Sequence, residues 1–450
     1  MQKTQHFIHI IEKEIRHQGF SSINHFSKVS GVNRGVLSAT LNEYSPKSMS
    51  IQQLDQMTIA LKKPPGWLYD EFLEEYFLTK AKINWRKLKP FLIRCIQLNR
   101  IDNIHCILQR LASIPGQLNH IFELAEEMAH KEPAYTTVRD LYETVIRHEK
   151  DHHSEKLAIS HYRIFIMEIG LDLEKNYRAA INFEPFYQKL PIHLKLDALL
   201  KLAFHSYILQ DWNRVKKHAV ELHQLSSSVY DQLYSSNPNP TSPLLSSLLR
   251  PLVVYYGQSY LLRFCALELE GKYEEAREYL EPFRDLSWFQ GLDELGKTEV
   301  RKFNLYAKFN EYNLELLQGN RDILPHYLEL MEQHPLEILP SLFILLKASN
   351  IHHWDIDYIL ARYTHIIYPV DMLESINIRK SYTAQADLNR HVHIYYQLAL
   401  YHLNRNKSLE QLDVILSALE TTIQNFNNSR IVDCLALLHK LRTIPKMETK

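Results

Sequence analysis

The chain has 450 residues and a balanced charge, with 52 Lys and Arg against 52 Asp and Glu. Its length predicts two or more domains, and its charge does not by itself demand nucleic acid as a partner. With only 11 glycines, the sequence argues against Rossmann, P-loop and barrel folds, whose tight turns need that residue. Leu, Ile, Tyr, His and Glu dominate instead, so the predicted class is all-α.

Residues 22–42 have the pattern of two short helices joined by a tight turn. Gly31 lies four positions after the small residue Ser27, where a left-handed backbone costs little only without a Cβ atom. Val32 follows as the predicted buried residue of the turn. Asn33 is a predicted N-cap, because its side-chain oxygen can accept an otherwise unpaired backbone N–H. The second helix is therefore predicted over residues 34–42.

The outer face of this second helix carries the candidates for DNA contact. Val36, Leu37 and Leu41 form its apolar face. Arg34 on the opposite side can read guanine or grip a phosphate, and Asn42 can read adenine or only touch the backbone. The predicted DNA-contacting residues are polar or small, and they are Lys28, Asn33, Arg34, Gly35, Ser38, Asn42 and Lys47.

Two more helices are predicted after this pair. Ser50 is the expected N-cap of an amphipathic helix, and KKPPGWLYDEF then ends it and starts another. Over residues 22–69 the whole pattern resembles the helix-turn-helix domain of Cro/C1-type phage repressors. Residues 1–70 hold eight Lys and Arg against five Asp and Glu, which suits a domain that makes a few phosphate contacts. The alternative is a short surface helix within an ordinary helical bundle.

The predicted domains are a DNA-binding domain at residues 1–72, a helical connector at 73–94 and a repeat domain at 95–445. Residues 78–94 carry six basic residues and no acidic one. They either lie beside the DNA backbone or form a solvated helix face that pairs with neighbouring acids.

Several segments of the repeat domain share one pattern, in which a helix ends, a short polar break follows and an anchor residue starts the next helix. The anchors are Tyr177, Trp212, Tyr273 and Trp354, with Ile101 and Arg321 in equivalent places. The spacings 177 to 212 and 321 to 354 match the 34-residue tetratricopeptide period. The prediction is a degenerate tetratricopeptide-like α-solenoid with a loop near 235–243 between its halves, and an irregular bundle is the alternative.

Solenoids bind partners in a concave groove lined by the first helix of each pair. Asparagine can grip an extended peptide with both a donor and an acceptor, and aromatic residues supply apolar pockets. The predicted peptide-binding residues are polar or aromatic, and they are Gln258, Tyr306, Phe309, Asn310, Asn313 and Tyr395. Ordinary helix packing is the alternative role of each one.

The sequence contains no recognisable catalytic motif, so we expect no enzyme activity and no cofactor. The histidine pairs 152/153, 352/353 and 391/393 lack a completing set of ligands, and no metal site is predicted. The four cysteines, at 95, 106, 265 and 434, are spread apart, as in a reducing compartment. Without a signal-peptide pattern or a long apolar stretch, the expected location is the cytoplasm.

The combination of a repressor-type helix-turn-helix and degenerate repeats resembles the RRNPP group of peptide-sensing regulators of Gram-positive bacteria and their phages. This group includes Rgg, Rap, NprR, PlcR and PrgX, together with the AimR receptors. The resemblance implies a homodimeric transcription regulator that binds a DNA operator and senses a short signalling peptide, as in quorum sensing. It also implies that Asn310 and Asn313 hold the peptide backbone.

Three other functions fit the same sequence. The repeat domain could bind a protein partner instead of a peptide. The chain could act as a Rap-like phosphatase or binding inhibitor of a response regulator. It could also be a phage-type repressor that relies on constitutive dimerisation.

Overall fold

The computed structural model describes residues 4–42, 49–78, 83–114, 116–129, 135–170, 172–234, 243–369, 382–405 and 409–424. Every regular element in these ranges is a helix, which confirms the all-α class for the described part of the chain. Contacts divide the chain into two compact units, Met1–Ile164 and Phe165–Lys450. The predicted domain boundaries at 72 and 94 stay a prediction.

The first unit contains short and medium-length helices, and a π-helical turn at Glu74–Leu78 extends the fifth. The helices are α1 Thr4–His17, α2 Ile23–Ser30, α3 Arg34–Thr40, α4 Ile51–Ala60, α5 Tyr69–Leu73, α6 Trp85–Gln97, α7 Ile101–Ala112, α8 Leu118–Ala129, α9 Tyr135–His148 and α10 Glu155–Glu168, the last of which crosses the division between the units.

The second unit contains longer helices, with 3₁₀ turns at Tyr187–Lys189, Arg321–Ile323 and Pro335–Glu337. The helices are α11 Leu173–Phe183, α12 Ile192–Ile208, α13 Trp212–Tyr234, α14 Pro243–Ser247, α15 Leu252–Leu269, α16 Tyr273–Glu278, α17 Glu281–Arg284, α18 Glu294–Leu317, α19 Leu324–Gln333, α20 Ile338–His352, α21 Asp357–Arg362, α22 Thr364–Ile367, α23 Tyr382–Leu403 and α24 Leu409–Gln424.

Helices α1 to α5 each contribute apolar residues to the buried interior of the first unit. Phe26, Leu37 and Leu54 are fully buried, and Phe7 of α1 meets Phe72 of α5 with ring centroids 6.0 Å apart. Helix α2 packs against both α3 and α4, while α1 packs against α5. The burial of apolar side chains thus fixes the orientation of the two short helices α2 and α3.

The start of α4 is held by the predicted cap. The Ser50 hydroxyl accepts a hydrogen bond from the Gln53 backbone N–H at 3.3 Å, and the Gln53 side chain accepts one from the Ser50 N–H at 2.9 Å. This reciprocal capping box satisfies two backbone donors that a helix start otherwise leaves unpaired. The sequence prediction for Ser50 is confirmed.

Four of the predicted anchors follow the same helix-ending turn. In each turn one residue has a positive φ, and the N–H of the next residue donates a 2.9 Å hydrogen bond to the carbonyl five positions earlier, as Arg100 does to Cys95. This is the Schellman arrangement of a helix C-terminus. The left-handed residues are Asn99, Gln210, Gly271 and Gly319, and the anchors two positions later are Ile101, Trp212, Tyr273 and Arg321. The turn therefore recurs as part of a helix-pair unit in both halves of the molecule.

The two remaining anchors depart from this pattern. Trp354 directly follows the left-handed residue His353, whose φ is 57°. Tyr177 lies inside α11 instead of at its start, because Asp172 caps that helix through the backbone N–H of Lys175. The repeated units are therefore irregular, and a tetratricopeptide-type solenoid stays a prediction.

The first helices of successive pairs in the second unit pack against one another in chain order. Helix α12 contacts α15, α15 contacts α18, α18 contacts α20, and α20 contacts α23. Helix α12 also contacts α23, and the side chains of Gln210 and His393 meet there at 2.8 Å. This row of helices therefore closes on itself. Among the described residues, none of the helices combines the length and the apolar character needed to cross a membrane.

Candidate functional site

The turn between α2 and α3 is built by local hydrogen bonds. Gly31 ends α2 with a left-handed backbone at φ 73°, and its N–H donates to the Ser27 carbonyl at 3.0 Å. The Ser27 hydroxyl then donates to the Val32 carbonyl at 2.7 Å. Asn33 begins α3 by accepting the Gly35 backbone N–H at 2.7 Å. The predicted left-handed glycine and the predicted Asn33 cap are both confirmed.

Burial divides α3 into an inner and an outer face. Leu37 is fully buried, and Leu41 at the end of the helix is 8% exposed, as the apolar pattern predicts. Val36 is only half-buried. The residues predicted to contact DNA are exposed wherever the structure describes them, namely Lys28, Asn33, Arg34, Gly35, Ser38 and Asn42. Lys47 lies outside the described residues.

The exposed face combines one long cation with small neighbours. Arg34, Gly35 and Ser38 occupy the first turn of α3 and the turn above it, and a small side chain there lets a backbone approach closely. Asn33 also caps the start of α3, because its Oδ1 atom accepts a hydrogen bond from the Gly35 backbone N–H. We call residues Lys28, Asn33, Arg34, Gly35, Ser38 and Asn42 the reader surface.

Part of the basic run at residues 78–94 pairs with acidic residues of the first unit. Arg94 donates to the carboxylate of Asp55 at 2.8 Å, and Lys89 lies 2.6 Å from Glu127. These two cations are therefore paired with acidic residues of the first unit. Arg86 is exposed, while residues 79–82 lie outside the described residues.

The predicted peptide-binding residues separate into two groups. Phe309 and Tyr395 belong to a large hydrophobic cluster, and the Tyr395 hydroxyl donates to the Ile367 carbonyl at 2.8 Å. Their side chains face packed neighbours, which differs from the open groove position that we expected. Helical spacing places residues on a face, but only the packing of neighbouring helices decides whether that face is open.

The remaining candidates are half-buried or buried polar and aromatic residues. Gln258 and Tyr306 are half-buried, while Asn310 is 9% and Asn313 is 8% exposed. Asn313 accepts the Tyr327 hydroxyl at 2.7 Å and approaches the Asn310 side-chain oxygen at 3.4 Å. The Asn310 amide nitrogen is buried and has no hydrogen-bond partner among the described residues.

Sequence reasoning missed a carboxylate beside these asparagines. Glu268 is 5% exposed, and its Oε1 atom has no partner within the described chain. Burial raises the pKa of Glu268 to about 7, against the opposing effects of Lys347 and of a hydrogen bond from Asn313. Helical periodicity did not single out Glu268, because ten positions turn a helix by about 1000°, which places it about 80° around α15 from Gln258.

A second missed residue is Arg390 on α23. Its guanidinium lowers the pKa of Tyr207, of Cys265 and of Glu337 against the larger effect of burial, which raises all three. It acts in the same way on Tyr306 of α18. These four side chains therefore lie within electrostatic range of Arg390, although they come from different elements. We call Tyr207, Cys265, Glu268, Tyr306, Asn310, Asn313, Lys347 and Arg390 the inner surface.

Neither surface carries the elements of a metal centre. In the ranges that the structure covers, no group of three or more His, Cys, Asp or Glu residues is placed to hold a metal ion. Comparison with protein-family models, with curated proteins and with solved structures gives no match.

Proposed function

We propose that this protein is a DNA-binding transcription regulator that senses a short peptide on the inner surface of its second unit. The observation that carries the proposal is the reader surface, where Arg34 and Ser38 stand exposed on α3 above the fully buried Leu37. A short helix that is capped at its start and anchored by one face is suited to enter the major groove of DNA.

The chemistry of the reader surface supports this proposal. An arginine can make a bidentate contact with guanine, and an asparagine can do so with adenine. Lys28 lies in the last turn of α2 and suits a phosphate contact. In a homodimer, two α3 helices about 34–36 Å apart would read successive turns of one DNA face. A peptide that alters this spacing would alter operator affinity.

The inner surface supports the sensing part of the proposal. It offers the Asn310 amide nitrogen and the Glu268 Oε1 atom, neither of which has a hydrogen-bond partner among the described residues. Unsatisfied buried polar groups are costly, so their presence favours a ligand that completes them. We further propose that the protein works in the cytoplasm and needs no cofactor.

The DNA proposal can be tested by selecting binding sites from a random duplex pool with the purified full-length protein. We expect one enriched motif with two half-sites. Arg34→Ala should weaken binding to that motif by about tenfold to a hundredfold, the effect of losing one good base contact. Arg16→Ala is the matched control, because Arg16 is an exposed arginine on α1 outside the reader surface.

A change of half-site preference or affinity on adding a small-peptide extract of host cells would support peptide sensing. Equal binding by Arg34→Ala and wild type would contradict the assignment of α3 as the reader. Absence of any enriched motif would contradict the regulator proposal as a whole.

A further inference from the structure

The first unit contains a cavity that belongs neither to the reader surface nor to the inner surface. Its volume is about 330 Å³, and it lies between the start of α4, the helix α5 with the π-helical turn that extends it, and the beginning of α6. Pockets that hold small molecules in proteins have volumes of about 300–1,000 Å³. The cavity is therefore large enough for a small organic molecule, and the side chains that line it determine which kind it can hold.

One wall of the cavity is aromatic. Phe72, Tyr76 and Phe77 line it, and each of them is at most 5% exposed. Their rings support one another, since the ring centroid of Phe72 lies 4.9 Å from that of Tyr76 and 5.8 Å from that of Phe77. The buried Met49 adds a thioether, which packs favourably against aromatic rings. This wall favours an aromatic ligand, because ring pairs gain energy beyond the burial of their area.

The backbone that carries two of these rings has an uncommon geometry. Tyr76 and Phe77 belong to the π-helical turn Glu74–Leu78, and both line the cavity. Turns of this type are rare in proteins and occur frequently at functional sites. The π-helical turn therefore supports a binding role for the aromatic wall.

The α6 side of the cavity is polar and positively charged. Asn84, Arg86 and Lys87 line it and are exposed, and none of its described lining residues is acidic. Lys89 and Arg94 of the same helix pair with acids, whereas the Arg86 side chain makes no ion pair or hydrogen bond with another described residue. The start of α6 adds positive potential, because the Asn84 side chain does not cap it. A ligand carboxylate at Arg86 would gain a charge-assisted hydrogen bond.

We propose that this cavity binds a small aromatic carboxylate, with its ring against Phe72, Tyr76 and Phe77 and its carboxylate at Arg86. The site lies within the first unit and is separate from the peptide site proposed for the second. The ring contributes through burial against the aromatic wall, and the carboxylate contributes through the charged contact. Ligands and variants that remove one contribution at a time can therefore test both.

The test measures binding of benzoate, phenylacetate and phenylpropanoate to the full-length protein by calorimetry. Each acid is compared with its primary amide, which keeps the ring and lacks the charge. Each acid is also compared with the acid that has a cyclohexane ring in place of the benzene ring. We expect at least one aromatic acid to bind, its amide to bind about tenfold more weakly, and its saturated counterpart to bind more weakly as well.

Two variants assign the binding to the cavity. Arg86→Gln should weaken binding of the acid to the level of its amide and leave binding of the amide unchanged, because only the charged contact is lost. Arg16→Gln is the matched control, since Arg16 is exposed on α1 and does not line the cavity. Ile51→Trp should abolish binding of acid and amide alike, because Ile51 lines the cavity from a half-buried position and an indole ring fills the space.

Thermal unfolding shows whether each variant is folded, and the result for Arg86 decides alone if Ile51→Trp does not fold. The inference is overturned if none of the aromatic acids binds, if an acid binds no more tightly than its amide, or if Arg86→Gln binds the acid as wild type does. Equal binding of an aromatic acid and its saturated counterpart contradicts the role of the aromatic wall. Unchanged binding to a folded Ile51→Trp variant contradicts the cavity as the site.

Discussion

The reader surface and the inner surface use polar residues in opposite ways. The reader surface places its polar side chains in solvent, above an apolar face that includes the fully buried Leu37. The inner surface buries Glu268, Asn310 and Asn313 within a unit of longer helices. Exposed polar groups do not lower the stability of the free protein, because water satisfies their hydrogen bonds. Buried polar groups lower its stability unless a partner satisfies them. Stability measurements can therefore distinguish the two surfaces.

The largest effect is expected from removing the support of the reader surface. Leu37→Ala should lower the free energy of unfolding by about 2–5 kcal/mol, because Leu37 is fully buried and its loss leaves a cavity. Chemical denaturation and hydrogen exchange of residues 23–41 would measure this. Ile59→Ala is the control on α4, where Ile59 is 73% exposed and its loss should change stability by less than about 0.5 kcal/mol. Equal effects of the two substitutions would contradict the assigned burial.

The second effect concerns pH and the inner surface. Burial raises the pKa of Glu268 from 4.5 to about 7, so the folded protein prefers the protonated carboxyl. Glu268 therefore leaves the stability of the folded protein unchanged below pH 4.5. It lowers that stability progressively as the pH rises from 4.5 towards 7. Lys347 and the hydrogen bond from Asn313 oppose this shift, while Tyr207, Cys265 and Tyr327 share the same environment.

Glu268→Gln should accordingly be more stable than wild type at pH 8, by on the order of 3 kcal/mol, and the difference should vanish near pH 4.5. Thermal unfolding at several pH values measures the trend. Glu278→Gln should show no such pH dependence, since Glu278 is exposed. A gain that does not change with pH would argue against a buried ionisable carboxylate.

A smaller effect is expected at the turn of the reader surface. Gly31→Ala should cost about 1–2 kcal/mol, because a Cβ atom is disfavoured at the left-handed φ of 73° although no atom lies within 4 Å of it. Gly31→Asn should recover part of the loss, since asparagine tolerates this conformation better. Chemical denaturation would show the ranking, and an alanine variant as stable as wild type would contradict the left-handed turn.

The smallest effect on stability is expected at the cap of α4, and an exposed serine of the reader surface serves as its comparison. Ser50→Ala should lower stability by about 1 kcal/mol, because the capping box is lost. Ser38→Ala removes an exposed hydroxyl and should leave stability unchanged while weakening operator binding. The two serines are compared by denaturation and by DNA titration. A stability loss for Ser38→Ala would show that its hydroxyl has a structural role.

Local features of the first unit were predictable because they depend on neighbours in the chain. The left-handed Gly31, the Asn33 cap and the Ser50 capping box each involve residues only a few positions apart. The same holds for the turns before Ile101 and Trp212, where a short polar break in the sequence predicts the end of a helix. Backbone geometry and short-range hydrogen bonds decide such features, and both are visible in the sequence.

The inner surface could not be predicted from the sequence, because it depends on contacts between segments that are distant in the chain. Periodicity placed Phe309 and Tyr395 on a groove face, but their neighbours in the hydrophobic cluster bury them. Glu268 on α15 and Arg390 on α23 both act electrostatically on Tyr207 because α12, which carries Tyr207, contacts both of those helices. The sequence alone thus determined the all-α class, the caps of α3 and α4 and the exposed face of α3, while the tertiary structure decided which polar groups are buried. The physical reason is that burial depends on which helices meet, and helical periodicity does not specify the partner.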